Sequence, residues 1–271
     1  MKNVVYSILC FSFLFSSCVQ VKSYLPNVNY TPGLTQALEV KGDLGIKAQN
    51  LGEESEVRFS PSANIAFSPV NHLGLTAGYI ADNKIIYDIS DPFWSSNEED
   101  QYLMQGRKFT VAAGFYSGGS ERSSFEIYAG YSRGNFSLNR YEPFQQKYYT
   151  HYYEQYHIQP AYVLKVDKKK VYLEFSAGAR IKFQNTTDLK AYDPQVRYQL
   201  TEPESDVFAQ NYWFVDPLVN FAVGHPYVQF HLQMGVHLGL TSPTLIYSDV
   251  PYYLALGVAF RFAPLVQSKA D

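Results

Sequence analysis

Three shortages bound what this 271-residue chain can be. Cysteine is scarce: there are two, Cys10 and Cys18. Both fall in the first eighteen positions, so no internal disulfide framework supports the body of the chain. Basic excess is missing, with 22 Lys and Arg against 25 Asp and Glu and a formal net charge of -3. Such a balance provides no positive field for nucleic acid, and no nucleic-acid partner is expected. Beyond the N-terminus no apolar run approaches the roughly 20 residues of a transmembrane helix. Helical spacing of apolar residues is missing too, and period two fits every patterned window better.

Aromatic residues are abundant at 17%, with 24 Tyr and 19 Phe, a bias that suits strands and membrane interfaces. The N-terminus stands apart. Met1-Lys2-Asn3 is a short basic start, and "VVYSILCFSFLF" is an apolar core of signal-peptide length. It ends in Phe15-Ser16-Ser17-Cys18. Small residues directly before a cysteine resemble a bacterial lipoprotein signal, with Phe15 where that signal carries an aliphatic residue. The resemblance implies cleavage after Ser17 and lipid on Cys18; ordinary signal-peptidase cleavage, with Cys18 a free thiol, is the alternative. Residues 1–17 are therefore read as a signal peptide. Residues 18–35, with Pro26, Pro32 and Gly33, are read as an extended N-terminal tether.

From Gln36 a two-residue alternation appears and keeps returning. "VYLEFSAGARIKF", from Val171 to Phe183, is the clearest case. Val171, Leu173, Phe175, Ala177, Ala179, Ile181 and Phe183 form one face. Tyr172, Glu174, Ser176, Gly178, Arg180 and Lys182 form the other. About ten such stretches occur, each near the 9–11 residues a tilted membrane strand needs. The connections alternate between short ones rich in Gly, Pro, Asn and Asp, such as Pro69–Asn71 and Asp167–Lys170, and long ones, namely Ala81–Gly106, Gly134–Tyr153, Gln184–Asn211 and Thr241–Val250. A soluble sandwich has no reason to sort its loops by length in this way. The expected fold is all-β, a closed antiparallel up-and-down transmembrane barrel over residues 36–262, with 263–271 as a periplasmic tail. Lipid leaves no free backbone N–H or C=O satisfied, so the sheet must close.

In such a barrel the polar rows point inward. They carry Glu39, Lys41, Asp43, Lys47, Arg58, Glu126, Glu174, Arg180, Lys182, Asp216 and Arg261, with His157, Gln159, Asn220, Gln229, His231, Gln233 and His237 among them. A cylinder of this size is narrow enough for side chains to fill, so these charges are expected to pair as a lumenal network. Closure should bring Arg261 near Glu39 or Asp43. Recurrent small residues such as Gly74, Gly130 and Gly235 would make room for long neighbours. Tyr79, Tyr131, Tyr162, Tyr227 and Tyr252, near strand ends, suit an interfacial girdle.

"GVAFRF", Gly257 to Phe262, resembles the C-terminal assembly signal of bacterial outer-membrane barrels, with nine residues following Phe262. "FSPVNHLGLTAGY", Phe67 to Tyr79, resembles a strand–turn–strand unit of small barrels of Bacteroidota. What this implies is insertion into the cell outer membrane, with outer-membrane lipid and the barrel-assembly machinery as partners and another outer-membrane protein as a further candidate. It carries no catalytic motif, and no cofactor, metal or enzyme activity is expected. A barrel protease would have to draw on Asp82, Asp88, Asp91, Asp188, Asp193, Asp206 and His151 at the rim, which show no diagnostic spacing, and a lipid hydrolase on a His–Ser pair at the lipid face, from which the alternation turns His157, His231 and His237 inward. "YYTHYYEQY" offers Tyr148, Tyr149, Tyr152, Tyr153 and Tyr156 as an aromatic platform for a ligand, or else as girdle rings. The expected role is structural or accessory, with outer loops that bind a ligand or partner; a narrow porin-like channel is the alternative.

Overall fold

The computed structural model describes residues 30–49, 58–89, 100–117, 122–141, 146–168, 171–192, 211–236, 238–240 and 252–262. The expected signal peptide, most of the expected tether and the expected periplasmic tail lie outside them. Ten strands run through the described residues. They are β1 (Val40–Gln49), β2 (Arg58–Val70), β3 (Leu73–Ile89), β4 (Asp100–Tyr116), β5 (Ser123–Tyr141), β6 (Gln146–Lys168), β7 (Val171–Tyr192), β8 (Tyr212–His225), β9 (Val228–Val236, continued at Leu238–Gly239) and β10 (Tyr252–Phe262). Each pairs antiparallel with the next. β10 then pairs with the whole of β1, from Val40↔Phe262 to Gln49↔Tyr253. The sheet is thus closed, and every strand has two neighbours.

Burial along the strands is the inverse of a water-soluble protein. Leu44, Ile46, Phe59, Ile65, Phe109, Ile158, Phe230 and Leu256 are all at least half exposed, whereas Glu39, Lys47, Lys108, Glu126, Lys182 and Asp216 are no more than 1% exposed. On β7 the buried side chains are Tyr172, Glu174, Ser176, Arg180, Lys182 and Gln184, and the exposed ones include Val171, Phe175 and Ile181. An apolar mantle around an ionic interior has one solvent in which it is stable, a hydrocarbon slab. The exposed rings of Tyr79, Tyr162 and Tyr227 belong to this outer surface.

The walls are unequal in height. β1, β2, β8, β9 and β10 are short, while β3 to β7 run from 17 to 23 residues. At about 3.3 Å per residue, the longest of these reach roughly 75 Å, more than twice the hydrocarbon thickness of about 30 Å. Much of Ala81–Gly106, Gly134–Tyr153 and Gln184–Asn211, expected as loop, is therefore strand. β3 continues to Ile89, β4 starts at Asp100, and β5 and β6 pair as far as Tyr141↔Gln146. Beyond the hydrocarbon both faces can meet water, so the apolar alternation lapses while the hydrogen-bond ladder goes on. Pro160, which has no N–H to donate, sits where the β6–β7 ladder lapses between Ile158↔Ile181 and Ala161↔Gly178.

The short turns, Asn71–His72 and Pro226–Tyr227 among them, lie at the end where β1 begins and β10 stops, here termed the turn end. Two glycines show how the lumen accommodates large rings. A Cβ on Gly235 would lie 2.5 Å from the Tyr253 ring, and one on Gly134 would lie 2.7 Å from the Tyr153 ring. Each glycine is a slot for the tyrosine of the neighbouring strand.

Candidate functional site

The lumen holds the concentrated chemistry of the described residues, and it has two tiers. The lower tier, at the turn end, is built around a segment that precedes the barrel. Residues 30–37, which include the described end of the tether expected over 18–35, run inside the cylinder down toward the start of β1. Tyr30 lies deepest, its carbonyl accepting from Gln159 Nε2 at 3.0 Å. The Thr31 hydroxyl meets Ser176 Oγ at 2.8 Å. Leu34 is fully buried against Ala66 and Tyr116. Ala37 N donates to Asn71 Oδ1 at 2.9 Å, and Leu38 N to the Ser68 carbonyl at 2.6 Å. This segment is a plug stitched to the wall by its backbone.

Gly33 is the plug's central joint. Its carbonyl accepts from Lys41 Nζ at 2.9 Å and Lys165 Nζ at 2.7 Å. Its φ of +57° lies in the left-handed region, and a Cβ there would be 2.8 Å from Glu174 Oε2. Glycine alone meets both demands without strain. Lys41 Nζ also pairs with Glu174 Oε2 at 3.3 Å, and the Tyr172 hydroxyl donates to the same carboxylate.

Closure of the barrel sets the other joint. Arg261 Nε on β10 pairs with Glu39 Oε1 at 2.7 Å, across the seam with β1. The second oxygen of Glu39 accepts from Thr35 N and Thr35 Oγ1, each at 2.7 Å, and from Gln36 N at 3.3 Å. One buried carboxylate therefore ties the first strand, the last strand and the plug together. Asp43 contacts His231 Nε2 and accepts from Asn64 Nδ2 at 3.0 Å. Glu126 is fully buried within electrostatic reach of Lys165 and Lys41.

Farther up the lumen, Lys182 Nζ meets Asp216 Oδ2 at 2.5 Å, and Lys182 also faces the Phe214 ring at 5.6 Å. Lys47 sits over the Tyr253 ring at 4.3 Å. Lys108 Nζ donates to Gln155 Oε1 at 3.3 Å, and Gln155 Nε2 to Gln184 Oε1 at 2.7 Å. Arg180 stands opposite Asp216 in the strand register, yet its Nε donates to Gln159 Oε1 at 2.7 Å. Amides and aromatic faces do much of the work here that carboxylates and backbone carbonyls do below.

Of the residues expected in the lumenal network, Glu39, Lys41, Asp43, Glu126, Glu174, Arg180, Lys182 and Asp216 are buried inside the cylinder, and Arg261 lines it. Arg58 pairs with Gln49 in the β1–β2 register; its side chain lies outside the described residues, as do Cys18 and His237. Lys108 and Lys165 belong to the lumen as well, although the sequence reading does not include them. The signal for both is present: Lys108 and Thr110 on β4, and Ala161, Val163 and Lys165 on β6, continue the inward row at period two.

The aromatic run does not form one platform. Tyr153 is fully buried on the inner face, its ring 5.7 Å from His151, whereas Tyr156 is exposed and lies 5.5 Å from Tyr131. Strand alternation sends neighbouring tyrosines to opposite sides. Tyr148 and Tyr149 lie on β6 opposite Asn139 and Leu138; their side chains are outside the described residues. His151, a candidate rim catalyst by sequence, turns inward and its Nε2 meets Thr186 Oγ1 at 2.7 Å. Asp82 and Asp88 lie on β3.

No protein-family model matches the chain, and no curated protein matches it. Among solved structures it is similar to the translocator domain of the autotransporter NalP from Neisseria meningitidis, at 9% identity over 85% of this chain and 90% of that one, with a TM-score of 0.49. It is also similar to a major outer membrane protein from Thermus thermophilus, at 10% identity over 82% and 99%, TM-score 0.38. A third is LpxR from Salmonella typhimurium, at 10% identity over 81% and 99%, TM-score 0.36. At such identities these are likenesses of shape, and the fold assignment rests on the strand pairing itself.

Proposed function

We propose that this chain is an integral barrel of the bacterial outer membrane with a structural or accessory role, closed by its own N-terminal segment and displaying a tall wall to partners or ligands outside. The observation that carries this reading is the plug: residues 30–37 occupy the turn-end lumen, bonded to β1, β6, β7 and β10 and packed on β2 through Leu34. A solute crossing the barrel would have to displace buried ion pairs and backbone hydrogen bonds together, and breaking such a network is costly. The apolar mantle supports membrane insertion. The height of β3 to β7 supports a role at the outer surface, because strands so much longer than a bilayer crossing must project from it.

The test is conductance. Purified barrel in planar bilayers should show no steady open channel, and liposomes containing it should not swell in small sugars; steady conductance would establish the narrow-pore alternative instead. A hydrolase would require carboxylates, or a His–Ser pair, converging at the rim or on the lipid face. Release of fatty acid or peptide product by the purified barrel would overturn the accessory role. Lipid on Cys18 is part of the same proposal. Cys18→Ala should abolish labelling by radioactive palmitate, and labelling that persists would remove the anchor from it.

A further inference from the structure

We propose that the chain preceding Tyr30 leaves the barrel by its upper end, so that Cys18 lies on the tall-wall side of the membrane and not at the turn end where β1 starts. This path rests on the proposed function only for the tall wall facing outward, and it holds with or without lipid on Cys18.

The plug climbs the wall from Ala37 to Tyr30. Ala37 N donates to Asn71, in the turn between β2 and β3. Leu34 packs on Tyr116, the last residue of β4. The Gly33 carbonyl accepts from Lys165, three residues up β6 from Lys168. Thr31 meets Ser176, five residues up β7 from Val171. The Tyr30 carbonyl accepts from Gln159, nine residues up β6. At Tyr30 the chain is therefore inside the cylinder and directed away from the turn end.

The way back is shut. Thr31, Pro32, Gly33 and Leu34 are all buried, and Lys41, Lys165 and Glu174 crowd Gly33. The free space beside this segment, bordered by Asp43, Asn220, Gln229 and Gln233, is about 40 Å³. That holds a few waters, not a second length of chain. A sideways exit would need an open sheet edge, and β10 is paired along the whole of β1. The upper end is the exit that remains.

The lengths allow it. Tyr30 borders the same cavity as Asp43, and β1 rises six residues beyond Asp43 to Gln49, about 20 Å. Twelve residues of sequence separate Cys18 from Tyr30, a reach of up to about 40 Å, enough to clear this low side of the barrel. The lumen at and above Tyr30 also holds donors that a passing backbone can satisfy. Arg180 Nη1 and Gln184 Nε2 are buried and have no hydrogen-bond partner among the described residues. Main-chain carbonyls accept such bonds, as those of Tyr30 and Gly33 do lower down. With lipid on Cys18, the same path would set the acyl chains in the outer leaflet.

The test is the side of the membrane on which the N-terminal stretch is found. Three full-length variants carry a short epitope: between Lys22 and Ser23, after Gly52 in the connection that joins β1 to β2 at the upper end, or after Asp271. Antibody binding is compared on intact cells and on cells with a broken outer membrane. The Lys22 tag should behave as the Gly52 tag does, bound on intact cells, while the Asp271 tag is bound only once the membrane is broken. A Lys22 tag that follows the Asp271 tag overturns the proposal. Exchanged behaviour of the Gly52 and Asp271 tags would reverse the proposed orientation of the barrel, and the path would stand with the Lys22 tag still following Gly52. Should the tag prevent insertion, trypsin on intact cells carrying the untagged protein should yield a folded barrel that begins at Ser23. Cleavage after Lys22 confined to broken cells would equally count against the path.

Discussion

The two tiers of the lumen solve the same problem by different means. Both bury charge inside a cylinder whose outer surface meets lipid. At the turn end, charges are matched by opposite charges and by the backbone of a segment from outside the sheet: Gly33 offers its carbonyl to two ammonium groups, and Thr35 and Gln36 offer N–H groups to Glu39. Higher up, cations rest on glutamine amides and on the rings of Tyr253 and Phe214, with Asp216 against Lys182. The lower tier thus binds the plug to the wall and acts as a closure. The upper tier joins strand to strand through Lys108, Gln155, Gln184, Lys182 and Asp216, without the plug's backbone in those bonds.

This contrast can be broken most forcefully from below. Glu39→Ala should remove the seam pair with Arg261 and the acceptor for Thr35 at once. Loss of one partner of a buried pair costs about 3–5 kcal/mol, so urea unfolding in micelles should move to distinctly lower denaturant. The missing group also held backbone N–H groups of the plug. Asp216→Asn should cost less, about 1.5–3 kcal/mol for a lost charge-assisted hydrogen bond. A loss as large as that of Glu39→Ala would erase the distinction between the tiers.

Gly33→Ala sharpens the comparison at the plug itself. A side chain at this φ costs about 1–3 kcal/mol, and its Cβ would press on Glu174. The expected outcome is a barrel that still closes but whose plug is loosened, read as intermittent conductance in bilayers where wild type is silent. Tyr30→Phe should be the mildest change, within about 0.5 kcal/mol of wild type in urea, because its hydroxyl makes no hydrogen bond among the described residues.

Much of the architecture is legible in the residues. The alternation from Val171 to Phe183 separates Phe175 and Ile181, which face outward, from Glu174, Arg180 and Lys182, which face inward. The same rule carries Lys108 and Lys165 into the lumen. It stops being informative past Phe183. β7 runs on to Tyr192 through residues with no apolar row, because outside the hydrocarbon nothing penalises a polar face. The tyrosine run on β6 misleads for the opposite reason: a cluster in sequence is divided between two faces by the pleat. A tether and a plug also look alike. Tyr30–Gly33 contains a turn-forming Pro-Gly pair, which is consistent with either.

Which side chains meet lipid and which meet the interior was settled residue by residue, because a strand has only two faces and a charge tolerates only one of them here. Which interior charges become partners was decided by the closed cylinder. Strand stagger and the seam between β1 and β10 place Arg261 beside Glu39 from opposite ends of the chain. The return of Tyr30–Ala37 into the lumen supplies Gly33 to two lysines, one of them, Lys165, far from it in sequence. Pairing of that kind depends on distance across a barrel, and distance across a barrel has no local signature.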